Sequence, residues 1–188
     1  MAKKTIAGNK NNNPLRMALI VILVFLLALL GKQAFERFSP TPGPNSQTAT
    51  LERVTIETSR GVIEIELYPE LMPLTVANFQ KLVESDFYDG LTFHRVEDWV
   101  VQGGDPLGNG TGGPGWTIKL EVHPELKNVR GALAMARGPH PDSAGSQFYI
   151  LKEDAPWLDG DYAVFGMVTA GMEVVDSLQP GDKMISIK

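Results

Sequence analysis

The side-chain types that could do chemistry in this 188-residue chain are concentrated between positions 93 and 166. One candidate is the glycine-rich stretch 108–113, whose letters GNGTGG satisfy the pattern G-x-G-x-x-G. In dinucleotide-binding proteins this pattern lies between a strand and a helix, and the amino end of the helix faces the pyrophosphate. Here Pro114 follows the stretch and no helix is predicted to begin there, so the pattern does not indicate a nucleotide site.

A second candidate is the group His140, Asp142, Ser143 and Ser146, which has the residue types of a serine hydrolase. These residues are crowded into one short loop, and the chain has no G-x-S-x-G nucleophile elbow. The chain also has no cysteine, which excludes thiolate nucleophiles, disulfides and cysteine-based zinc sites. Its three histidines lack the spacing of metal ligands. We therefore predict neither a hydrolase nor a metal site.

Five blocks of sequence follow one another through the same region. They are FHRVEDWVVQGGD at 93–105, GNGTGG at 108–113, AMAR at 134–137, SAGSQFYI at 143–150 and WLDGDYAVFG at 157–166. In their letters, order and spacing these blocks resemble the cyclophilin family, and the resemblance covers about 135 of the 188 residues. Because five ordered blocks match, this resemblance is far more specific than any single short motif.

The resemblance implies a peptidyl-prolyl cis-trans isomerase, an enzyme that rotates the peptide bond preceding proline. This rotation has a barrier of about 20 kcal/mol and takes tens of seconds or more without a catalyst. No covalent bond breaks, so neither a nucleophile nor a metal nor any other cofactor is implied. The twisted amide has lost its resonance and carries a lone pair on the prolyl nitrogen. An apolar pocket and one fixed hydrogen-bond donor would therefore favour the transition state.

The resemblance assigns site residues through their positions in the matched blocks. Arg95 matches the essential arginine of the family, and a guanidinium suits this role because it is always protonated and offers rigid donors. Gln102 resembles the glutamine that holds the arginine and the substrate backbone. The other matched positions line the proline pocket, its rim or the peptide groove: Trp99, Val100, Ala136, Arg137, Gln147, Tyr149, Trp157, Leu158 and Tyr162. Any one of the apolar residues in isolation is better explained by core packing, but their joint placement favours a binding site.

The chain departs from the family pattern at two kinds of position. The segment between Arg95 and Gln102 is one residue shorter than in the commonest pattern, and Glu-Asp at 97–98 replaces a Pro-Gly turn. Tyr149 and Tyr162 stand where many members have phenylalanine and histidine. A tyrosine combines an apolar ring with a hydrogen-bonding tip, so at position 162 it is expected to alter ligand preference more than catalysis.

Two functions from different classes follow from the resemblance. The first is an active isomerase that acts on proline-containing segments of unfolded or partly folded polypeptides. The alternative is a binding module that grips such segments without turnover. The retained Arg95 and Gln102 favour the enzyme, because binding alone would not need a donor at the prolyl nitrogen. Trp157 matches the family's contact for cyclosporin, which makes this drug an expected inhibitor.

The elements that must position these residues are mostly strands. Alternating apolar residues predict a hairpin over 54–67, and shorter strands are predicted at 92–96, 99–102, 131–136, 147–151, 162–168 and 184–187. Helices are predicted at 73–85, which has proline near its start, and at 172–178. Many short strands with two helices indicate a mainly β fold, a closed antiparallel barrel capped by the helices. The resemblance implies eight strands for this barrel.

The amino-terminal part of the chain differs from the rest. Residues 17–31 contain no polar side chain, a run somewhat shorter than the roughly 18–20 residues of a full membrane span. Flanking residues extend it to a predicted transmembrane signal-anchor helix over 15–35, with charged side chains that snorkel. A cleaved signal peptide is the alternative, although no clean small-x-small site follows promptly. A buried core helix is disfavoured because the run has no polar face.

Charge and composition complete the predicted organisation. Residues 1–50 carry six Lys and Arg against one Glu, a net charge of +5, whereas the remainder carries 11 against 21, a net charge of −10. The acidic remainder argues against a nucleic-acid partner. We predict a basic cytoplasmic tail at 1–14, the anchor, a proline-rich spacer at 36–50 and the isomerase domain at 51–188. More positive charges precede the apolar run than closely follow it, which places the domain on the extracytoplasmic side of the cell membrane.

Overall fold

The computed structural model describes residues 52–188, which contain eight β-strands and two α-helices. The strands are β1 (Glu52–Thr58), β2 (Gly61–Leu67), β3 (Arg95–Val96), β4 (Val100–Gly103), β5 (Ala132–Met135), β6 (Phe148–Leu151), β7 (Val164–Ala170) and β8 (Met184–Ile187). The helices are α1 (Pro73–Glu84) and α2 (Met172–Ser177), and short 3-10 turns occur at Pro141–Ser143 and Pro156–Leu158. The elements predicted within residues 52–188 are confirmed, except that the strand expected at 92–96 is reduced to its last two residues.

All eight strands belong to one curled antiparallel sheet in the order β3-β4-β6-β5-β7-β2-β1-β8. The prediction of a fully closed barrel needs correction, because β3 and β8 share no ladder. They are linked by an isolated bridge between Thr92 and Lys183 and by backbone hydrogen bonds such as that from Phe93 N to Asp182 O, 2.9 Å. The segment before β3 is too irregular for a continuous ladder, so the sheet is a curled half-barrel.

The main hydrophobic core lies on the inner face of this sheet. In β2 the side chains of Ile63, Ile65 and Leu67 are fully buried, whereas the intervening glutamates face outwards. This alternation is the period-two pattern of a strand with one face on a core. Helix α1 covers the core with Phe79, whose ring centroid lies 5.3 Å from that of Tyr88 and within 6 Å of two further aromatic rings. The sequence pattern therefore accounts directly for the inner core.

Helix α1 begins without a side-chain cap from the residue that precedes it. Pro73 occupies the first helical turn, where its missing N–H costs nothing. The carboxylate of Glu121, distant in sequence, accepts hydrogen bonds from Leu74 N at 3.2 Å and Thr75 N at 2.8 Å. These bonds satisfy two of the free donors of the helix end, and the negative charge complements the helix dipole. Tertiary structure thus supplies the cap that the local sequence lacks.

A second apolar cluster covers the outer face of the same sheet. Its buried members are Val100, Ala132, Ala134, Tyr149, Leu151, Ala155 and Val164. Along β4, Val101 points to the inner core while Val100 and Gln102 belong to the outer face. The strand register pairs Arg95 with Gln102 and Gln102 with Tyr149, so one transverse row carries three predicted site residues. Strand alternation and register together assemble the site on this face.

The predictions for the amino-terminal part of the chain lie outside the described residues. These are the basic tail at 1–14, the transmembrane helix at 15–35 and the spacer at 36–50, together with the alternative of a cleaved signal. Within residues 52–188, no helix has the length and apolar character needed to cross a membrane.

Candidate active site

A narrow cavity of about 100 Å³ opens on the outer face of the sheet. Nine of the eleven predicted site residues line it: Arg95, Trp99, Val100, Gln102, Ala136, Arg137, Tyr149, Leu158 and Tyr162. Six of these side chains are apolar or aromatic, and the floor rests on the outer apolar cluster. The two positive charges belong to Arg95 and Arg137. The cavity therefore combines an apolar wall with permanent hydrogen-bond donors at its edge.

Arg95 lies at the edge of this cavity in a network of three polar contacts. Its side chain is 42% exposed, and its Nη1 donates to Gln102 Oε1 at 3.3 Å. Its Nε donates to Glu97 Oε1 at 2.8 Å, the shorter of the two bonds. The guanidinium carbon lies 5.5 Å from the ring centroid of Trp99, within the range of a cation–π contact. Three neighbouring side chains therefore hold the guanidinium.

Gln102 connects this arginine to a neighbouring wide cavity. Its Nε2 donates to Gln147 Oε1 at 2.9 Å. Gln147 in turn donates through Nε2 to the carbonyl oxygens of Gly110 at 3.1 Å and Gly112 at 2.8 Å. The wide cavity has a volume of about 570 Å³ and is lined mainly by residues 110–117, 136–138 and 143–147. The chain of bonds holds the glycine-rich loop against the row of strands that carries Arg95.

Tyr149 forms part of the floor of the narrow cavity. Its side chain is 95% buried, and its hydroxyl donates to Asn128 Oδ1 at 2.7 Å. The backbone N–H and side-chain amide of Asn128 both donate to Asp159 Oδ1, at 2.8 and 3.1 Å. Burial, with a smaller contribution from Tyr162 nearby, raises the pKa of Tyr149, so the phenol stays neutral. The hydroxyl of this buried tyrosine therefore has a hydrogen-bond partner within the core of the site.

The rim of the narrow cavity is built from the remaining site residues. Trp157 is 65% exposed and does not line the cavity, but its ring packs edge-on against Trp99 with centroids 5.8 Å apart. Leu158, the next residue in the same turn, is half-buried, packs on the outer apolar cluster and lines the cavity. Arg137 lies over the ring of Tyr162 at 4.7 Å, and its Nε donates to the carbonyl oxygen of Asp161. Arg137 lines both the narrow cavity and the neighbouring wide cavity.

The glycine-rich loop is organised around a buried carboxylate. Asp105 is 1% exposed and accepts hydrogen bonds from the backbone N–H groups of Leu107, Asn109 and Gly110. Burial by itself would raise the pKa of Asp105, but the bonds from Leu107, Gly110 and Asn109 lower it on balance. These N–H groups are the donors that a bound phosphate would need. Because the protein's own carboxylate occupies them, the loop is not a nucleotide-binding turn.

The serine-hydrolase candidates are also committed to structural bonds. Ser146 is buried and donates to the carbonyl oxygen of Gly104 at 2.7 Å, and Ser143 donates to the carbonyl oxygen of His140. The Nδ1 atom of His140 accepts from the backbone N–H of Asp142 and not from a serine. The fourth candidate, Asp142, accepts from Leu120 N. No nucleophile and base are paired within this group.

The sequence interpretation missed residues that support the site without lining it. Glu97 was recognised only as a departure from the family turn, and Asn128, Asp159 and Asp105 were not singled out. The signal for Glu97 was present, since residues two apart on a strand share a face and Arg95 precedes it by two. Asn128 and Asp159 gave no comparable signal, because their contacts with each other and with Tyr149 join distant parts of the chain.

Comparison with known proteins agrees with this geometry. Residues 53–185 match the family described as cyclophilin type peptidyl-prolyl cis-trans isomerase/CLD. Peptidyl-prolyl cis-trans isomerase B of Bacillus subtilis is 52% identical over 129 residues, which are 67% of this chain and 89% of that protein. A peptidyl-prolyl cis-trans isomerase of Helicobacter pylori (strain 26695) is 45% identical over 137 residues, 71% of this chain and 83% of that protein.

A solved structure of another protein has a similar fold. The Cryptosporidium parvum cyclophilin type peptidyl-prolyl cis-trans isomerase, crystallised in the presence of the dipeptide Ala-Pro, superposes with a TM-score of 0.69. The two proteins are 33% identical, and the match covers 72% of this chain and 97% of that one. The chain belongs to the cyclophilin-type family of peptidyl-prolyl cis-trans isomerases.

Proposed function

We propose that the narrow cavity receives the proline ring of a polypeptide substrate and that Arg95 is the catalytic residue. The observation that carries this proposal is the convergence of nine matched positions on one cavity, with the guanidinium at its edge. Val100, Tyr149 and Leu158 supply the apolar surface on which the ring would rest. Gln102 would hold the substrate backbone beside Arg95, since its amide already lies within 3.3 Å of the guanidinium.

The proposed mechanism requires no transfer of atoms. A planar X–Pro amide is polar because of its resonance, and an apolar wall stabilises it poorly. As the bond twists, the lone pair localises on the prolyl nitrogen, where an N–H of Arg95 can donate to it. This interaction is strongest in the transition state, which is the condition for acceleration. An acceleration of about 10⁴-fold needs only about 5.5 kcal/mol of such differential stabilisation.

We further propose that the wide cavity accommodates the rest of the peptide. Gln147, Ala136 and Arg137 line it. The sequence resemblance assigns these three positions to the peptide groove. Its other walls come from residues 110–113 of the glycine-rich loop, from residues 114–117 that follow it and from residues 138, 143, 145 and 146, all of which have backbone groups that a peptide backbone could contact. Proline-containing segments of unfolded or partly folded proteins fit this arrangement, because only an extended chain can reach both cavities.

The alternative of a binding module without turnover is tested by a direct rate measurement. Isomerisation of a proline tetrapeptide, followed by protease-coupled absorbance or by NMR exchange, is expected to accelerate in proportion to protein concentration. Calorimetric binding of the same peptide measures affinity independently. Acceleration supports the enzyme, whereas saturable binding with an unchanged isomerisation rate would establish the binding module instead.

Cyclosporin inhibition is a further part of the proposal. Trp157 presents an exposed indole with a broad apolar face at the rim, and it does not line the narrow cavity. We expect Trp157→Ala to abolish inhibition by the drug and to lower peptide turnover much less. Calorimetry that detects no binding by the unaltered protein at high drug concentration would contradict this part.

We also propose that the amino-terminal apolar run anchors the protein in the cell membrane, with the domain on the extracytoplasmic side. The support is sequence alone: the basic residues before position 17 and the proline-rich spacer after the run. Protease added to spheroplasts is expected to digest the domain while the extreme amino end stays protected. A reporter fused after Lys188 that is active only in the cytoplasm would reverse the orientation, and release of the domain into the medium would favour the cleaved signal.

A further inference from the structure

Glu97 stands in the hairpin between β3 and β4, where the chain is one residue shorter than the family pattern. The turn is tight, and the N–H of Glu97 donates to the carbonyl oxygen of Val100 at 2.9 Å. Because residues two apart on an extended chain share a face, Glu97 lies on the same side as Arg95. The hairpin therefore brings a carboxylate to the guanidinium at the edge of the narrow cavity.

Each oxygen of this carboxylate has a different partner. Oε1 accepts from Arg95 Nε at 2.8 Å, and Oε2 accepts from the indole Nε1 of Trp99 at 2.9 Å. The bond from Arg95 holds the pKa of Glu97 below its ordinary value, so the carboxylate is ionised at neutral pH. Trp99 packs in turn on Trp157. One carboxylate thus joins the guanidinium to the aromatic rim.

Because the two carboxylate oxygens of Glu97 bind different partners, Arg95 keeps N–H groups that can donate to a substrate. A carboxylate commonly binds an arginine through two parallel bonds and would then occupy Nη2 as well as Nε. Here the indole takes the second oxygen, so the pair is held through Nε alone. Of the five N–H groups of a guanidinium, Arg95 uses one for Glu97 and one for Gln102. Within residues 52–188, the other three have no hydrogen-bond partner and remain available to a substrate.

We propose that Glu97 is a positioning residue for the catalytic arginine, and that Trp99 directs it by occupying its second oxygen. The inference rests on the proposed function of Arg95. The side chains of Glu97 and Arg95 are 46% and 42% exposed, and exposed ion pairs contribute little to folding stability. The contribution of Glu97 therefore belongs to turnover, through the orientation of the guanidinium, and not to the stability of the domain.

Glu97→Gln tests this directly in the full-length protein, because the amide keeps the size of the side chain and removes its charge and one acceptor. We expect kcat to fall about tenfold, less than the roughly 10²-fold that a displacement of about 1 Å can cause, because the bond to Gln102 still holds the guanidinium. The affinity for the tetrapeptide, measured by calorimetry, should change less than about twofold. Asp98→Asn is the matched control: it removes the same charge from the same turn, and within residues 52–188 the Asp98 side chain makes no hydrogen bond or ion pair. Its kcat should equal that of the unaltered protein.

The Arg95→Ala background separates a positioning role from a structural one. If Glu97 acts through Arg95, adding Glu97→Gln to Arg95→Ala should lower kcat by less than a further twofold or so. Trp99→Phe keeps the ring and removes the indole donor, which frees Oε2 to bind a second arginine nitrogen. Trp99→Phe should therefore lower kcat when Glu97 is present. In the Glu97→Gln protein the same change should lower kcat much less.

Several results would overturn the inference. An equal loss of kcat in both Arg95 backgrounds would assign Glu97 to the fold of the turn. Unchanged kcat in a folded Glu97→Gln protein would remove Glu97 from the mechanism, and increased kcat would show that it restrains Arg95 away from the substrate. Glu97→Asp, which keeps the charge but cannot span both partners, provides an independent variant that should also lose activity. An unaltered protein without isomerase activity would defeat the proposed function itself, and the inference with it, whereas an active protein indifferent to Glu97 defeats only the inference.

Discussion

The narrow and wide cavities share a wall, formed by Gln102, Ala136 and Arg137, and differ in the rest of their lining. Around the narrow cavity the lining consists of side chains on paired strands and a short turn, held by the outer apolar cluster. Around the wide cavity it comes from loop segments, which include residues 110–113 of the glycine-rich loop, whose shape depends on hydrogen bonds to Asp105. The narrow cavity depends mainly on side-chain packing, whereas one wall of the wide cavity depends on backbone hydrogen bonds to a buried carboxylate.

This difference has a functional counterpart in the proposed mechanism. Rotation about the X–Pro bond needs a dry surface and one donor of fixed direction, which rigid strands provide. Binding the flanking peptide needs backbone groups over a longer distance, which a loop provides. Changes around the narrow cavity should therefore act mainly on kcat, and changes around the wide cavity mainly on KM. The predictions below test that separation, beginning with the largest expected effect.

Arg95→Ala should lower kcat and kcat/KM together by roughly 10²–10³, about 2.7–4 kcal/mol, because it removes a donor used mainly in the transition state. Peptide affinity should change little. Arg95→Lys should not restore full activity, since an ammonium on a flexible stem cannot reproduce the fixed guanidinium. The measurement compares kcat with the peptide Kd for the three proteins, and circular dichroism confirms folding. Near-normal turnover in a folded Arg95→Ala protein would assign Arg95 to an ordinary surface charge.

Asp105→Asn should act on the other cavity. The amide retains one acceptor oxygen, so backbone N–H groups of the glycine-rich loop lose a buried partner, a cost of about 1–3 kcal/mol each. We expect KM to rise about tenfold, equivalent to 1.4 kcal/mol, while kcat changes much less. Steady-state kinetics with a longer proline peptide provides the measurement. An equal fall in kcat with an unchanged KM would show that the loop governs the narrow cavity as well.

The role of Asp105 in the glycine-rich loop also predicts that the KM for the peptide depends on pH in the acid range. The pKa of Asp105 is lowered in the folded protein, so its stabilising contribution is complete above the unfolded value of about 3.9. That contribution is lost as the pH falls through the lower folded value. KM for the peptide should therefore rise only as the pH falls through this lowered folded value, below the ordinary pKa of about 3.9, and by less than the full effect of Asp105→Asn. The Asp105→Asn protein should show no such rise in this range, and an identical acid response in both proteins would exclude Asp105 as its cause.

Tyr149→Phe should have the smallest effect. The ring remains on the floor of the narrow cavity, but Asn128 Oδ1 loses the hydroxyl donor at 2.7 Å. We expect the free energy of unfolding to fall by about 1 kcal/mol and kcat/KM to stay within about twofold. Urea unfolding and steady-state kinetics measure the two quantities separately. A large loss of kcat would indicate that the hydroxyl takes part in the reaction, contrary to its structural assignment.

Local sequence signals were sufficient for the strands and helices of the described region. Ile63, Ile65 and Leu67 alternate with glutamates, and such alternation requires a strand with one buried face. Closure of the barrel was not predictable in the same way. It depends on whether the residues before β3 and β8 pair, as Thr92 and Lys183 do only through a single bridge. No pattern within either segment specifies its distant partner.

The candidate site likewise contains residues that the sequence predicted and residues that it did not. Nine of the predicted residues line one cavity because strand register is fixed by the alternating pattern, and register places Arg95, Gln102 and Tyr149 in one row. The residues that hold this row were not predicted. Asn128 and Asp159 support Tyr149 through side chains that meet only after the chain has folded.

The amino-acid sequence by itself determined the family, the elements and the residues that face the narrow cavity, because each of these is written in residue type and spacing. Only the tertiary structure decided what Glu97 and Asp105 do. A carboxylate can be solvated, pair with a cation or hold a loop, and these roles differ by which donors lie within about 3 Å. For Glu97 those donors are Arg95 and Trp99, and for Asp105 they are three backbone N–H groups. Distances of this kind arise from the folded arrangement of the chain and not from any local pattern in it.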